Sequence, residues 1–449
     1  MTDTTAPRLF GTDGIRGIAG EYPLDSDTIA LIGGAVTAIM REEVGRAPRF
    51  IIGRDTRESG TSIEREFAKG ARAEGAHVES AGVITTPGVA YLARVVPFDA
   101  GVVVSASHNP YRDNGVKIFT PSGLKISDEI ERAIEKSLRI GVKGDTPEQI
   151  DLDSSEGYVS SYIDFLCSAF DIRLDGLRLA LDCANGAASA IAPEVFTRLG
   201  ADLTVLSANP DGRNINDGCG SLYMGPLQEC VLNNKLDVGI AFDGDADRAL
   251  LVAENGCIVD GDHELLILAD YLKSRGQLNG DVVVTTVMAN LGLELALADR
   301  KIEMARVPVG DRYVLEEIRR RDASLGGEQS GHIIIPAVSL AGDGIITAIE
   351  MLRATASSGR TLGELASGLT KYPQVLVNVR VKSKPGIDSI PMIRREIARL
   401  EKELGKQGRL LVRYSGTENL ARVMIEGERQ AEIEAQANGL AELIRQELG

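Results

Sequence analysis

GAHVES, residues 75–80, closes an alanine-rich, helix-patterned segment and turns it through a glycine into a strand-patterned run. The signature returns twice: GADLTV at 200–205 and ALADRKIEMARV at 296–307 also read as helix, short turn, strand. Downstream of each lies another apolar run that ends in a polar loop: SHNP, then DGDADR, then GEQSGH. Self-similarity of this kind predicts three related α/β units with mixed sheets, each donating one loop and each covered by helices. From about residue 374 the pattern changes to VLVNVRVKS, a charged helix at 387–404, RLLVRYS, ARVMIEG and a final helix, which predicts a separate α+β domain. The expected division is 1–155, 156–256, 257–372 and 373–449, with the polar stretch 141–157 and Tyr372-Pro373 as linkers.

The three loops, and a fourth near the carboxyl end, carry the chemistry. In VVVSASHNP at 102–110, an apolar run delivers Ser107 beside His108, and Asn109-Pro110 stops the segment. Such a stretch is often only a turn, so its weight comes from its companions. Asp243, Asp245 and Asp247 alternate in DGDADR between the apolar runs VGIAF and ALLVA. Three carboxylates so spaced repel one another unless a cation gathers them, and hard oxygen donors with no cysteine or histidine among them suit magnesium. The competing reading is a solvated acidic turn, for which a position between two buried-type strands is a poor place. No glutamate closes a twelve-residue loop, so this is not an EF-hand. GGEQSGH at 326–332 leads into the strand-like HIIIP, and Glu328 and Ser330 offer groups that bind sugar hydroxyls. RYSGTEN at 413–419 follows RLLV, with Arg422 beyond it. The Arg413 guanidinium, the Ser415 and Thr417 hydroxyls and the backbone around Gly416 make a phosphate cradle.

These four loops, in this order, resemble the phosphoserine, metal-binding, sugar-binding and phosphate-binding loops of the α-D-phosphohexomutases. Further matches run the length of the chain: FGTDGIRG at 10–17, GRDTRESG at 53–60, TPGVAYL at 86–92, DNGVKIF at 113–119, LDCANGA at 181–187 and VGDRYVLE at 309–316. The FGTDGIRG opening with VGDRYV and GEQSG is most similar to the bacterial branch that acts on glucosamine phosphate. The resemblance implies four domains around a central cleft and a phosphorylated Ser107 that donates its phosphoryl group to a hexosamine phosphate. A hexose bisphosphate then serves as intermediate or primer. One Mg2+ per active site is implied on Asp243, Asp245, Asp247 and the Ser107 phosphate. Arg16, His108, Lys117 and His332 are implied around the reacting groups, with Lys117 and His332 either moving a proton or only binding phosphate. Arg248, Glu328 and Ser330 would hold the sugar phosphate, and Arg413, Ser415, Gly416, Thr417 and Arg422 the phosphate that does not react. A sister enzyme acting on glucose or mannose phosphates, or a phosphosugar-binding protein without turnover, fits the same loops. Two residues depart from the family pattern: Ala246 stands where many members have glycine, and Asn419 where they have proline.

Bulk properties narrow the partners. A chain of 449 residues is too long for one core and predicts three to four domains. With 43% apolar and 25% charged residues it has the composition of a globular enzyme. A net charge of −16 argues against nucleic acid or an anionic membrane as partner, so an anionic substrate must be drawn by local cations. The sequence opens on no signal-peptide pattern and has no apolar run near the roughly 20 residues that span a bilayer, so a cytoplasmic location is expected. Oligomeric state is left open. Cys167, Cys183, Cys219, Cys230 and Cys257 are odd in number and lack C-x-x-C spacing, which predicts reduced thiols.

Overall fold

Ala100–Val104, Val238–Phe242 and Val282–Thr286 are buried at every position. Continuous Val, Ile and Ala runs of this kind belong to strands covered on both faces. The computed structural model describes residues 9–11, 14–140, 152, 156–405, 407–415 and 419–449. It separates into two compact units, Met1–Val287 with Ala305–Ala366, and Met288–Met304 with Ser367–Gly449.

The first sheet has the order Ile15–Ile18, Asp113–Phe119, Ala100–Val104, Arg49–Arg54, His77–Val83. Arg49–Arg54 runs parallel to both His77–Val83 and Ala100–Val104, and Asp113–Phe119 returns antiparallel. The second sheet repeats the arrangement with Arg178–Asp182 parallel to Asp202–Leu206 and Val238–Phe242, and Ala249–Ala253 antiparallel. In the third, Val282–Thr286 runs parallel to Gly326–Gly327, and Ile333–Ile334 returns antiparallel. In all three sheets the predicted chemical loop occupies the same place: it leaves the carboxyl end of a parallel strand and turns into the antiparallel one. Ligand sites of α/β sheets gather at carboxyl ends of strands, so the repeat in topology places each candidate loop where such a site is expected.

Helix signals are equally local. Asp25 caps Ser26–Val44 by accepting from the Thr28 N–H, and Thr85 caps Thr86–Val95, with Pro87 in the first turn, by accepting from the Gly88 N–H. Ser26–Val44 and Gly60–Ala73 pack against each other closely enough that a Cβ on Gly70 would lie 1.7 Å from the Ala30 carbonyl oxygen. Among the described residues no helix is long and apolar enough to cross a membrane. All five cysteines are free thiols, as expected.

In the second unit, Leu420–Gly427 lies between Gln374–Arg380 and Gly408–Tyr414, antiparallel to both. The charged helix expected from 387 starts instead at Pro391, after a single 3-10 turn at Ile387–Ser389. Proline lacks the N–H that an earlier start would require and settles in the first helical turn. The strand expected over HIIIP is confined to Ile333–Ile334, because its partner Gly326–Gly327 supplies only two positions. The expected linker at 141–157 lies almost wholly outside the described residues.

Candidate active site

Ser107 follows Val104 by three residues and adopts a left-handed conformation, φ +51°, with no exposed surface. Its hydroxyl donates to Asp243 Oδ2 at 2.5 Å and lies 3.3 Å from His108 Nδ1. Burial, then the Arg248 and Arg16 charges, push the His108 imidazole down to about 4. The ring beside the serine is therefore neutral near pH 7.

Asp243, Asp245 and Asp247 are all buried and offer carboxylate oxygens within 4.8 Å of one another. Burial and then the charges of Asp247 and Asp245 push Asp243 well above the usual carboxylate range. Burial would also raise Asp247, but Lys117 and His332 outweigh it and hold that carboxyl well below the range. Asp245 Oδ1 and Asp247 Oδ1 have no hydrogen-bond partner. Buried carboxylate oxygens that repel one another and lack donors fit a hard divalent cation. The loop has the donor set of a divalent-cation site.

Cations crowd the same carboxylates. Lys117 Nζ lies 3.5 Å from Asp247 Oδ2 and 3.9 Å from Asp245 Oδ2. Arg248 Nε is 3.6 Å from Asp247 Oδ1, and its backbone N–H donates to Asp243 Oδ1 at 3.2 Å. His332 Nδ1 is 3.7 Å from Asp247 Oδ2; burial would lower its pKa, but the carboxylate raises it to about 9. Arg16, Lys117, Asp247, Arg248, Glu328 and His332 share a cavity of about 130 Å³. A larger one of about 770 Å³ meets it at Lys117, Asp247, Asp311 and His332, and this volume lies within the range of small-molecule sites. Glu328 Oε1 accepts from the Gly310 N–H at 3.1 Å. Ser330 belongs to the same loop and has a buried hydroxyl oxygen with no hydrogen-bond partner, but it does not line either cavity.

The predicted phosphate cradle lies in the other compact unit. Arg413 and Arg422 face each other directly across the antiparallel ladder. Burial and then the neighbouring Arg422 push the Arg413 pKa down. Like charges in cross-strand register destabilise a sheet, and an anion held between them removes that cost. Ser415 is buried, and its carbonyl accepts from Lys384 Nζ at 2.8 Å. Gly416 and Thr417 lie outside the described residues.

Ala246 has φ +55°. The position thus needs the conformation that glycine takes freely, and alanine accepts it at a cost of roughly 1–2 kcal/mol. The three carboxylates keep their cluster despite the substitution.

Sequence reasoning missed Thr86. Its hydroxyl donates to Asp245 Oδ2 at 2.5 Å and its N–H to the Asp245 carbonyl at 3.0 Å. Asp245 Oδ1 remains without a hydrogen-bond partner and would be available as a metal ligand. Thr86 opens the TPGVAYL motif, which served only as a mark of resemblance. A Thr86→Val variant keeps the β-branched shape and is expected to lose about tenfold in metal affinity, read from magnesium titrations of activity.

Four family models match most of the chain. They are phosphoglucomutase/phosphomannomutase α/β/α domain I over 7–141, domain II over 157–256, domain III over 260–372, and the C-terminal domain over 376–443. The chain belongs to the phosphoglucomutase/phosphomannomutase family. It is 48% identical over 445 residues to a phosphoglucosamine mutase of Solibacter usitatus (strain Ellin6076), covering 99% of this chain and 100% of the relative. It is 46% identical over 459 residues to one of Koribacter versatilis (strain Ellin345), covering 100% and 98%. A phosphoglucomutase/phosphomannomutase family protein from Burkholderia thailandensis shares the fold with a TM-score of 0.80 at 23% identity, covering 98% of this chain and 97% of the other. Aspergillus fumigatus N-acetylphosphoglucosamine mutase, solved in complex with GlcNAc-6P and magnesium, shares it with a TM-score of 0.68 at 19% identity, covering 98% and 95%.

Proposed function

We propose that this phosphohexomutase is a phosphoglucosamine mutase, an isomerase that interconverts glucosamine 6-phosphate and glucosamine 1-phosphate by intramolecular phosphoryl transfer. One observation carries the chemistry: the Ser107 hydroxyl lies in hydrogen-bond contact with a buried three-carboxylate cluster surrounded by Lys117, Arg248 and His332. Full-length identity with phosphoglucosamine mutases supports the amino-sugar substrate.

In this reading Ser107 carries a phosphoryl group at rest. The free sugar hydroxyl attacks phosphorus, the bond from phosphorus to Ser107 Oγ breaks, and a sugar bisphosphate forms. The bisphosphate turns over and returns its other phosphoryl group to Ser107 Oγ, leaving the isomeric monophosphate. The serine oxygen gains a proton as it leaves and loses one as it is rephosphorylated, and the neutral imidazole of His108, 3.3 Å away, is placed to exchange it. The attacking sugar hydroxyl gives its proton to Lys117, which acts from its neutral form and returns the proton when the sugar oxygen leaves in the second transfer, while His332, held protonated by Asp247, supplies positive charge. Asp243, Asp245 and Asp247 would hold one Mg2+, which supplies charge neutralisation to the phosphoryl group in transfer. Glu328, which lines the smaller cavity, would grip sugar hydroxyls, and Ser330 of the same loop would join it only when the bound sugar reaches beyond that cavity. The division at 155, 256 and 372 assigns one loop to each of four domains.

Phosphorus NMR of the purified protein with glucosamine 6-phosphate, magnesium and a trace of hexose bisphosphate tests the proposal. A growing glucosamine 1-phosphate signal, and a higher kcat/KM than for glucose or mannose phosphates, is the expected result. A higher kcat/KM for either of those sugars would instead assign the chain to a sister activity. Arg422→Ala is expected to raise KM about tenfold with a much smaller change in kcat, because the non-reacting phosphate is gripped equally in ground and transition states. An unchanged KM removes Arg422 from the cradle.

A further inference from the structure

We propose that Arg57 and Asn216 are positioning residues for phosphoryl transfer, together gripping the carbonyl oxygens of the loop that presents Ser107. The inference rests on the mutase reading. Neither side chain contacts the reacting hydroxyl, and neither was marked by the sequence for chemistry.

The Arg57 side chain is wholly buried. Its Nη1 donates to the Pro110 carbonyl at 2.6 Å, and its Nη2 to the Ser107 and Asn109 carbonyls at 2.8 and 2.9 Å. Its Nε donates to Asp55 Oδ2 at 2.9 Å. The same carboxylate oxygen accepts from Ser105 Oγ at 2.6 Å, and Ser105 Oγ accepts from the Ser107 N–H at 2.9 Å. One guanidinium therefore fixes the carbonyl of the reactive serine directly and its amide through Asp55 and Ser105.

Asn216 approaches from the loop that precedes Gly220–Leu222, beside the second sheet. Its Nδ2 donates to the Ser107 carbonyl at 2.9 Å and the Asn109 carbonyl at 3.1 Å. Each of these oxygens thus has two donors, one from Arg57 and one from Asn216, which fills its hydrogen-bonding capacity. Gly244 of the metal loop closes over the same point: a Cβ there would lie 2.5 Å from the Ser107 carbonyl oxygen and 2.9 Å from Asn216 Nδ2. Ser107 and Asn216 both hold positive φ, +51° and +59°. Such conformations persist where surrounding contacts over-determine them.

Carbonyls that needed only to be satisfied could be left to water. A buried charged fork and an amide aimed at the same two oxygens instead hold the loop against displacement. Its consequence is the placement of Ser107 Oγ over the metal loop, to which phosphoryl transfer is sensitive, since a shift of about 1 Å costs roughly a hundredfold in rate.

Asn216→Gly provides the cleanest test, because glycine accepts the left-handed backbone and removes only the donor. Its kcat is expected to fall about ten- to a hundredfold with KM for the sugar phosphate within about twofold. Hydrogen exchange of the 105–109 amides is expected to speed up by at least about tenfold. Asn216→Asp, equal in shape but turning an acceptor toward the two carbonyls, should lose at least as much, and Arg57→Lys, which keeps the charge and loses the fork, should show the same split. A kcat within twofold of the parent protein, unchanged exchange at 105–109, or a KM that rises in proportion to the loss of kcat overturns the proposal. If the parent protein were inert toward every hexose phosphate, the mutase reading would fall, and the exchange rates would still decide this one.

Discussion

Ser107→Ala is expected to remove at least about 10⁴-fold of the turnover, since loss of a covalent nucleophile leaves only binding and electrostatics. Intact-protein mass should show one phosphoryl group on the parent protein and none on the variant. The fold should survive, because the change deletes one hydroxyl from a loop whose backbone is held by Arg57, Asn216 and the Ser105 hydroxyl rather than by the serine side chain. The lost contact is the bond to Asp243, a carboxyl that burial and its neighbours already push toward its neutral form. The melting temperature should therefore move by little while activity disappears. Substantial residual activity would end the phosphoserine mechanism and return the loop to an ordinary turn.

The repeat that organises the fold was legible because it is written in local signals. The helix, turn and strand of GAHVES reappear in GADLTV and in 296–307, and the strands that begin in GAHVES and GADLTV pair parallel to the corresponding neighbour in their own sheets. What the local signals do not carry is the return strand. Ile333–Ile334 is two residues long and set by its partner, so an apolar run of HIIIP overstates it. The start of the helix at Pro391 was missed for a similar reason: charge pattern marks a helix face, and proline marks its first turn.

The site was legible where the chemistry needs a residue type that has no structural reason to be there. Three carboxylates between buried strands, or a serine beside a histidine at a strand end, stand out on that ground. Thr86, Arg57 and Asn216 do not, because threonine at a helix start, arginine after aspartate and asparagine in a glycine-bearing loop are all common as structure. Their roles depend on contacts of long sequence separation, Thr86 with Asp245 and Asn216 with Ser107, that no spacing rule encodes. Only the motifs TPGVAYL and GRDTRESG hinted at the first two, and they carried likeness without chemistry. The left-handed conformation of Ala246 was signalled only by the glycine that many family members carry there, since alanine itself gives no local sign that positive φ is required.

Asp245→Asn separates a metal site from an acidic turn by two effects of opposite sign. The carboxylate sits 3.9 Å from Lys117 and accepts from Thr86, while its other oxygen is buried without a partner. The amide is nearly isosteric, so packing is preserved and the change is one of charge and donor type. With metal removed, the variant loses a repulsion that raises the Asp243 pKa, and its melting temperature should rise slightly above that of the parent protein. With magnesium present the order should reverse. The parent gains stability as the ion binds the native state, by an amount that grows with the ratio of magnesium to its dissociation constant, and the variant gains far less. Metal affinity should fall on the order of a hundredfold or more, since even outer-shell partners of metal ligands are worth tenfold to a hundredfold. Activity should fall steeply at limiting magnesium and recover in part at saturation. Thermal melts of both proteins with and without magnesium read all of this without substrate. A parent protein whose melting temperature ignores magnesium, or a variant that gains from it equally, would leave the three aspartates as nothing more than a buried acidic turn.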